Sequence, residues 1–366
     1  MPLSLEHLRR YAIARSLFKP TTLKRAIGKL GFVQADPIRA PARAQDLTLR
    51  HRVIGYRAGD LERRYARLGV EEDFFVNYGF LPRAVQSLMH PRIARHKWTK
   101  TSMRNAQAVL EFVRRRRVAH PRAVDAQFAH GKVQNWFGGS SNASTQLLDA
   151  MHYRGLLRVA RREGGTRVYA AREPAAAGAF DPDQRLDTLV DLVAAKYAPL
   201  PARTLSDLVY RLRIAAPQWE KRRRAALARA RERLASAQVN GVLWYWPAGE
   251  RPQGRRWRLD EEVRLLTPFD PIVWDRRRFE IFWGWPYRFE AYTPAKKRKL
   301  GYYALPLLWH DQVIGWGNVG VKHGVVHTAF GYVSGKPPAA ADFNRALEAE
   351  IERLRAFLKG SADSDA

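Results

Sequence analysis

The chain contains no cysteine, which excludes disulfide bonds, thiolate metal sites and cysteine nucleophiles. It has no apolar run of membrane-spanning length, and its amphipathic N-terminus lacks the uninterrupted apolar core of a signal peptide. Acidic residues are scarce, with 35 Asp and Glu against 64 Lys and Arg, for a formal net charge of +29. We therefore expect a cytoplasmic protein that has no membrane partner and binds a polyanion, because phosphates attract excess positive charge and release counterions on binding.

Familiar catalytic patterns are also missing. The sequence has no P-loop, no G-x-S-x-G elbow, no H-E-x-x-H and no Gly-rich dinucleotide fingerprint. His323 and His327 are four residues apart, but they lie in a strand-like segment, where this spacing does not bring them onto one helical face. We expect neither a metal site nor a cofactor.

Hydrophobic residues are abundant enough for a folded core. They make up 46% of the 366 residues, and there are 11 tryptophans, a composition that argues against disorder. The length favours two or three domains. The order of helical and strand patterns predicts an α+β fold, with tandem winged-helix (helix-turn-helix) modules followed by a small C-terminal β-barrel.

The clearest module spans residues 119–173. A short helix at Val124–Ala129 is followed by a second helix capped by Ser141–Ser144 and closed by Gly155. A hairpin then turns through Gly164-Gly165. Helix, helix and hairpin in this order are typical of a winged helix.

A second winged-helix module is predicted over residues 183–260, after a linker at 174–182. Its third helix should run from Pro217 to Gln238 and end at Asn240-Gly241. Strands at Val242–Trp246 and Arg255–Leu259 should then pair. Repetition of one module suits a protein that follows duplex DNA.

The residue patterns and their order in the chain also predict the remaining units. The predicted units are an N-terminal helical or winged-helix region at residues 1–118, a β-barrel-like domain at 261–336, a closing amphipathic helix at 337–360 and a disordered tail at 361–366.

The N-terminal region contains a segment of particular chemical interest. Gly31 suits the left-handed position that ends a helix. Gln34 and Asp36 are two apart in an extended stretch, so they should point the same way, and Pro37 keeps Asp36 out of the helical conformation. An amide and a carboxylate placed side by side can orient and activate a water. By residue type alone, solvated or capping groups are the ordinary alternative.

The segment GFVQADPIRAPARAQDL resembles the catalytic segment of the YcaQ/AlkZ-like interstrand-crosslink DNA glycosylases. The C-terminal stretches Phe269-Asp270, Trp274-Asp275-Arg276-Arg277 and Glu290-x-Tyr292-x-Pro294 are similar to that family's signature. The resemblance implies that Gln34 and Asp36 are the catalytic pair, in the aspartate version of the YcaQ branch. Many family members carry a histidine in the region of residues 71–82. Here Asn77-Tyr78-Gly79 stand in that neighbourhood, so no histidine role carries over.

The resemblance also implies a reaction. The substrate would be guanine alkylated at N7, including guanine in an interstrand crosslink, and such a cationic base leaves without a general acid. Asp36 would stabilise the oxocarbenium-like sugar and activate water, while Gln34 would position the water or the sugar-phosphate. No lysine lies at the motif to form a Schiff base, so we expect a monofunctional, metal-independent glycosylase that leaves an abasic site. We expect it to act as a monomer on damaged double-stranded DNA.

Positive charge suggests which side chains contact DNA. The candidates are Arg39, Arg43, Arg161, Arg162, Arg167, Lys296, Lys297, Arg298 and Lys299. A non-catalytic winged-helix DNA-binding protein or transcriptional regulator is the alternative interpretation of the same charge and modules. An RNA-binding protein also fits the charge, but the sequence carries no RRM, KH or dsRBD signature.

Overall fold

The computed structural model describes residues 2–129, 131–134, 140–173 and 181–359. The predicted tail at 361–366 and most of the predicted linker at 174–182 lie outside these residues. None of the described helices is long and apolar enough to cross a membrane.

Two short helices introduce the Gln-x-Asp segment. Ser4 caps α1 (Leu5–Ser16) in a capping box with His7. Gly31, with φ of 66°, ends α2 (Leu23–Leu30), which confirms its predicted role. The elements that follow are β1 (Val33–Gln34), α3 (Ala44–Leu49), α4 (Asp60–Arg64), β2 (Val70–Phe74) and β3 (Tyr78–Pro82).

Strand β1 pairs with β3 at the edge of a small antiparallel sheet in the order β1-β3-β2. Gln34 lies opposite Gly79. A Cβ at Gly79 would lie 2.2 Å from the carbonyl oxygen of Val33, closer than real Cβ contacts allow. Glycine at position 79 therefore lets β3 approach β1, the strand that contains Gln34, closely.

The middle of the chain contains the predicted helix, helix and hairpin in that order. Its elements are α5 (Arg83–Met89), α6 (Lys100–Arg116), α7 (Pro121–Phe128), β4 (Lys132–Gln134), β5 (Ser140–Asn142), α8 (Ala143–Arg154), β6 (Leu157–Glu163) and β7 (Thr166–Ala171). The β6–β7 hairpin turns at Gly164-Gly165, both with positive φ. The assignment of these elements to a winged helix remains a prediction.

The next segment corrects two expectations. It contains α9 (Pro182–Tyr197), β8 (Leu200–Pro201), α10 (Ala202–Ala215), α11 (Arg223–Arg233), β9 (Leu234–Val239) and β10 (Val242–Pro247). The helix predicted to reach Gln238 ends at Arg233, and β10 pairs with β9 instead of with Arg255–Leu259. Asn240 and Gly241 have φ of 49° and 74°, as a two-residue hairpin turn requires. The turn therefore folds the end of the predicted helix back as a strand.

The C-terminal part contains the predicted strands, but they curl into a half-barrel. The elements are β11 (Val263–Leu265), α12 (Arg276–Trp283), β12 (Leu305–Trp309), β13 (Gln312–Lys322), β14 (Val325–Tyr332) and α13 (Ala341–Leu358). The sheet is antiparallel in the order β11-β12-β13-β14.

Side chains hydrogen-bond to the backbone groups of the edge strand β11 that no neighbouring strand pairs. Glu350 on α13 accepts the Leu265 N–H at 2.8 Å, and Arg353 donates to the Val263 carbonyl at 2.9 Å. Arg50 donates to the Leu265 carbonyl at 3.1 Å. Covering an edge in this way prevents further strand pairing, and the sheet stays open.

The two ends of the chain share one hydrophobic core. Leu23, Leu47, Leu265 and Phe357 belong to the same buried cluster. A fully buried ion pair adds to this junction: Arg52 donates to both carboxylate oxygens of Asp270, at 2.8 and 3.1 Å. The loop after β11 is thereby fixed beside the N-terminal motif.

Candidate active site

Gln34 and Asp36 line the same cavity, which has a volume of about 740 Å³. Gln34 is held by its pairing with β3, and Ala35 extends the contact by donating to the Tyr78 carbonyl at 3.0 Å. The other walls come from Tyr78, from the β6–β7 hairpin and from an aromatic group near the C-terminus. The structure thus brings together the two side chains that the sequence placed two residues apart.

Asp36 is a half-buried carboxylate with few stabilising partners. Its Oδ1 accepts the Ile38 N–H at 2.9 Å, while its own backbone N–H donates to Gln45 Oε1 at 3.4 Å. Burial raises the pKa of Asp36 above its usual range, and only the Ile38 N–H opposes that rise. No lysine or arginine among the described residues forms an ion pair with it.

Each arginine that lines the cavity has its own acidic partner. Arg43 contacts Glu62. Arg162 donates to both oxygens of the fully buried Glu72, at 2.8 and 2.6 Å. Arg167 lies 3.2 Å from Asp149, the other acidic residue of the cavity lining. Asp36 is therefore left as the carboxylate in this cavity whose charge is not neutralised by an ion pair among the described residues.

The side chain of Gln34 is buried and has a defined partner. Its Oε1 accepts the indole N–H of Trp274 at 3.1 Å. Trp274 belongs to a stretch that resembles the family signature, but the sequence gives no sign of its place at the site, because a contact between residues 240 positions apart in the chain leaves no local pattern.

Three aromatic side chains form the wall near the C-terminus. Phe269 and Phe289 meet edge to face with ring centroids 5.4 Å apart, and Tyr292 packs edge-on against Phe289 at 6.0 Å. Tyr292 is 79% exposed, which is unusual for a large aromatic residue. The family signature seen in the sequence includes Phe269 and Tyr292, but it does not separate rim positions from core positions.

The predicted DNA-contact residues fall into two groups. Arg43, Arg162 and Arg167 line the cavity in the ion pairs described above. The others lie at the surface or partly exposed: Arg39, Arg161, Lys296, Lys297, Arg298 and Lys299. Arg161 pairs with the exposed Glu163, and Arg298 donates to the Thr293 carbonyl at 2.8 Å. Predicted roles in DNA contact remain predictions for all of them.

Comparison with known proteins places the chain in a family. The family model described as DNA glycosylase AlkZ-like matches residues 27–357. This chain belongs to the AlkZ-like DNA glycosylase family. The solved structure of DNA glycosylase AlkZ from Streptomyces sahachiroi is similar in fold, with a TM-score of 0.63 and 15% sequence identity, over 98% of this chain and 97% of that one.

Membership in the AlkZ-like family identifies the protein as a DNA glycosylase, an enzyme of DNA repair whose substrate is DNA. The resemblance seen in the sequence is confirmed, and the alternative of a non-catalytic regulator is set aside. Asn77 and Tyr78, in the segment where the sequence resemblance implies a histidine for many family members, line the cavity. The cavity that holds Gln34 and Asp36 is the candidate active site of this AlkZ-like glycosylase.

Proposed function

We propose that this glycosylase hydrolyses the N-glycosidic bond of guanine alkylated at N7, including guanine in interstrand crosslinks, with Gln34 and Asp36 as the catalytic pair. The observation that carries the proposal is that the Asp36 carboxylate has no ion-pair partner among the described residues. In a chain with a net charge of +29, the cavity arginines are all paired and this carboxylate has no cationic partner among the described residues. A site of this kind favours positive charge on its substrate.

The cationic base makes a general acid unnecessary. When the bond from the sugar C1′ to the base N9 breaks, the electron pair goes to the base, which leaves as neutral N7-alkylguanine. Positive charge then develops on the sugar, where the Asp36 carboxylate stabilises it. Water forms the new bond to C1′ and gives its proton to Asp36. The reaction leaves an abasic site without strand cleavage. A monoadduct is released as the free base, whereas a crosslinked guanine stays attached through its linker to the opposite strand.

An open cavity is compatible with a crosslinked substrate. Base flipping is the usual route for chemistry on a base, but a crosslinked base cannot leave the helix completely. The cavity has walls from three distant parts of the chain and an exposed aromatic residue, Tyr292, at its rim. Such a site can receive the modified base from the groove while the duplex stays outside.

We propose that residues 119–173 and 183–260 act as winged-helix DNA-binding modules. In the first, Arg162, Gly165 and Arg167 of the hairpin face the candidate active site. The β6–β7 hairpin would therefore line the catalytic cavity and also contact the duplex. The exposed lysines Lys296, Lys297 and Lys299 would contact phosphates on the other side of the cavity mouth.

The experiment is a glycosylase assay on duplex DNA with a single N7-methylguanine, and in parallel on duplex with an N7-linked interstrand crosslink. On the N7-methylguanine duplex we expect release of the base, and strand breaks that appear only after alkali treatment. On the crosslinked duplex we expect the two strands to separate under denaturing conditions, with the excised guanine still attached to the opposite strand. Light scattering of the protein should give the mass of a monomer. Absence of product on both duplexes, despite tight duplex binding, would refute the proposed substrate class. Strand breaks without alkali would refute the monofunctional reaction.

A further inference from the structure

We propose that Trp274 is a positioning residue for catalysis: its indole N–H holds the Gln34 carbonyl, and so fixes Gln34 as a hydrogen-bond donor toward the reacting nucleotide. The inference rests on the proposed function of Gln34. It goes beyond that function by assigning the direction of the Gln34 hydrogen bond and the group that sets it.

The chemistry of the two groups decides the orientation of the amide. An indole N–H can only donate a hydrogen bond. The Gln34 atom that lies 3.1 Å from it must therefore be the carbonyl oxygen. With the oxygen engaged, Gln34 offers its two N–H groups to the cavity, where it is among the lining residues. Gln34 would then bind an oxygen acceptor, such as the water oxygen, a phosphate oxygen or the guanine O6.

The indole is itself held in place from two sides. The ring of Tyr197, at the end of α9, packs against it with centroids 4.8 Å apart, and the Arg211 guanidinium of α10 lies 5.4 Å from the ring centre. The backbone N–H of Trp274 donates to the Asp270 carbonyl at 2.8 Å. Asp270 is the partner of Arg52 in the buried ion pair. A donor fixed in this way loses little conformational entropy when it binds Gln34.

The hydrogen bond from Trp274 restrains the Gln34 side chain more than the backbone pairing of β1 does alone. Strand β1 has only two residues, Val33 and Gln34, and the following residues are irregular. Pairing with Gly79 places the Cα of Gln34 but leaves its side-chain torsions open. Trp274 supplies the restraint on the amide, because among the described residues no other side chain hydrogen-bonds to the Gln34 carboxamide.

The test is a double-mutant cycle on single-turnover rates, with enzyme in excess so that slow variants remain measurable. Trp274→Phe keeps an aromatic ring and removes the N–H. Replacement of Trp274 by 3-benzothienylalanine, in which sulfur takes the place of the N–H, removes the donor at nearly constant shape and covers the case in which the phenylalanine variant folds poorly. Both are made in the wild-type chain and with Gln34→Ala. Trp246→Phe is the matched control, since its indole N–H donates to the Glu250 carbonyl at 3.1 Å, away from the cavity.

We expect both Trp274 changes to lower the single-turnover rate about ten-fold in the wild-type chain, the equivalent of one hydrogen bond, with duplex affinity unchanged. With Gln34→Ala they should have no further effect, and Trp246→Phe should leave the rate unchanged. The same ten-fold loss in both backgrounds, or no loss in the wild-type chain, would overturn the role of Trp274. Full activity of Gln34→Ala would overturn the proposed function of Gln34, and the inference with it.

Discussion

Replacement of Asp36 by asparagine tests the candidate site most directly. The change keeps the size of the side chain and an oxygen that can accept the Ile38 N–H, but it removes the charge. A carboxylate about 4 Å from a cationic sugar, at an effective dielectric constant of about 20, is worth about 4 kcal/mol. That corresponds to roughly a thousand-fold in rate. No described arginine forms an ion pair that offsets this charge, so we expect Asp36→Asn to lose nearly the full factor.

The same substitution should not destabilise the fold. Because burial raises the pKa of Asp36 above its usual value of 3.8, the folded protein binds this proton more tightly than the unfolded chain does. The charged carboxylate therefore lowers the free energy of unfolding at neutral pH. This cost decreases as the pH falls through the raised pKa of the folded protein toward 3.8. Asp36→Asn should be as stable as wild type or more so at pH 7. The difference should stay within about 1 kcal/mol, since the group is half exposed to water.

The assay combines single-turnover base release from N7-methylguanine duplex with chemical denaturation and duplex binding at pH 7. The activity of the wild-type enzyme should also fall on acidification, at a higher pH than for an ordinary carboxylate, because the general base must be ionised. A rate for Asp36→Asn within ten-fold of wild type would refute the reasoning. So would a loss of activity that is matched by a loss of stability or of DNA affinity.

Three further outcomes are expected. Arg162→Ala should lower the free energy of unfolding by about 3 kcal/mol in urea denaturation, because it leaves the buried Glu72 without its cationic partner. The control Arg161→Ala, in an exposed pair, should change it by less than about 0.5 kcal/mol. Lys296→Ala should weaken duplex binding and reduce the salt dependence of log Kd by about one unit; an unchanged slope would remove this lysine from the interface. Burial lowers the pKa of Lys196 from 10.5 to about 7, so the unfolded chain binds its proton more tightly. Stability should then rise between pH 7 and 10.5 in wild type, and Lys196→Met should lack that rise in thermal melts across this range.

Local features of the site could be predicted from the sequence. Gly31 ends its helix in the left-handed conformation, and Gln34 and Asp36 reach the same cavity. Each of these depends on a few adjacent residues, on backbone sterics and on strand periodicity. The Gly164-Gly165 hairpin was predictable for the same reason.

Features that depend on partners distant in the chain could not be predicted. The arginines of the β6–β7 hairpin looked like free DNA contacts, but Arg162 is bound to Glu72, ninety positions away. The segment Leu234–Val239 continued a helical pattern, yet the Asn240-Gly241 turn pairs it with β10. That turn is a strong and local hairpin signal, so this pairing, unlike the contacts between distant segments, is encoded where the chain turns. The half-barrel is open because side chains of α13 and Arg50 bind its edge strand, a contact that no single segment encodes.

The shared core of the two chain ends has a consequence for the synthesis of this enzyme. The proposed catalytic pair is translated early, but the indole that holds Gln34 and the aromatic rim follow more than two hundred residues later. A nascent chain or a fragment cut ahead of Trp274 can carry basic surface and still lack a complete cavity. We therefore expect a fragment that ends ahead of Trp274 to release no base from DNA, because its cavity lacks the indole and the aromatic rim.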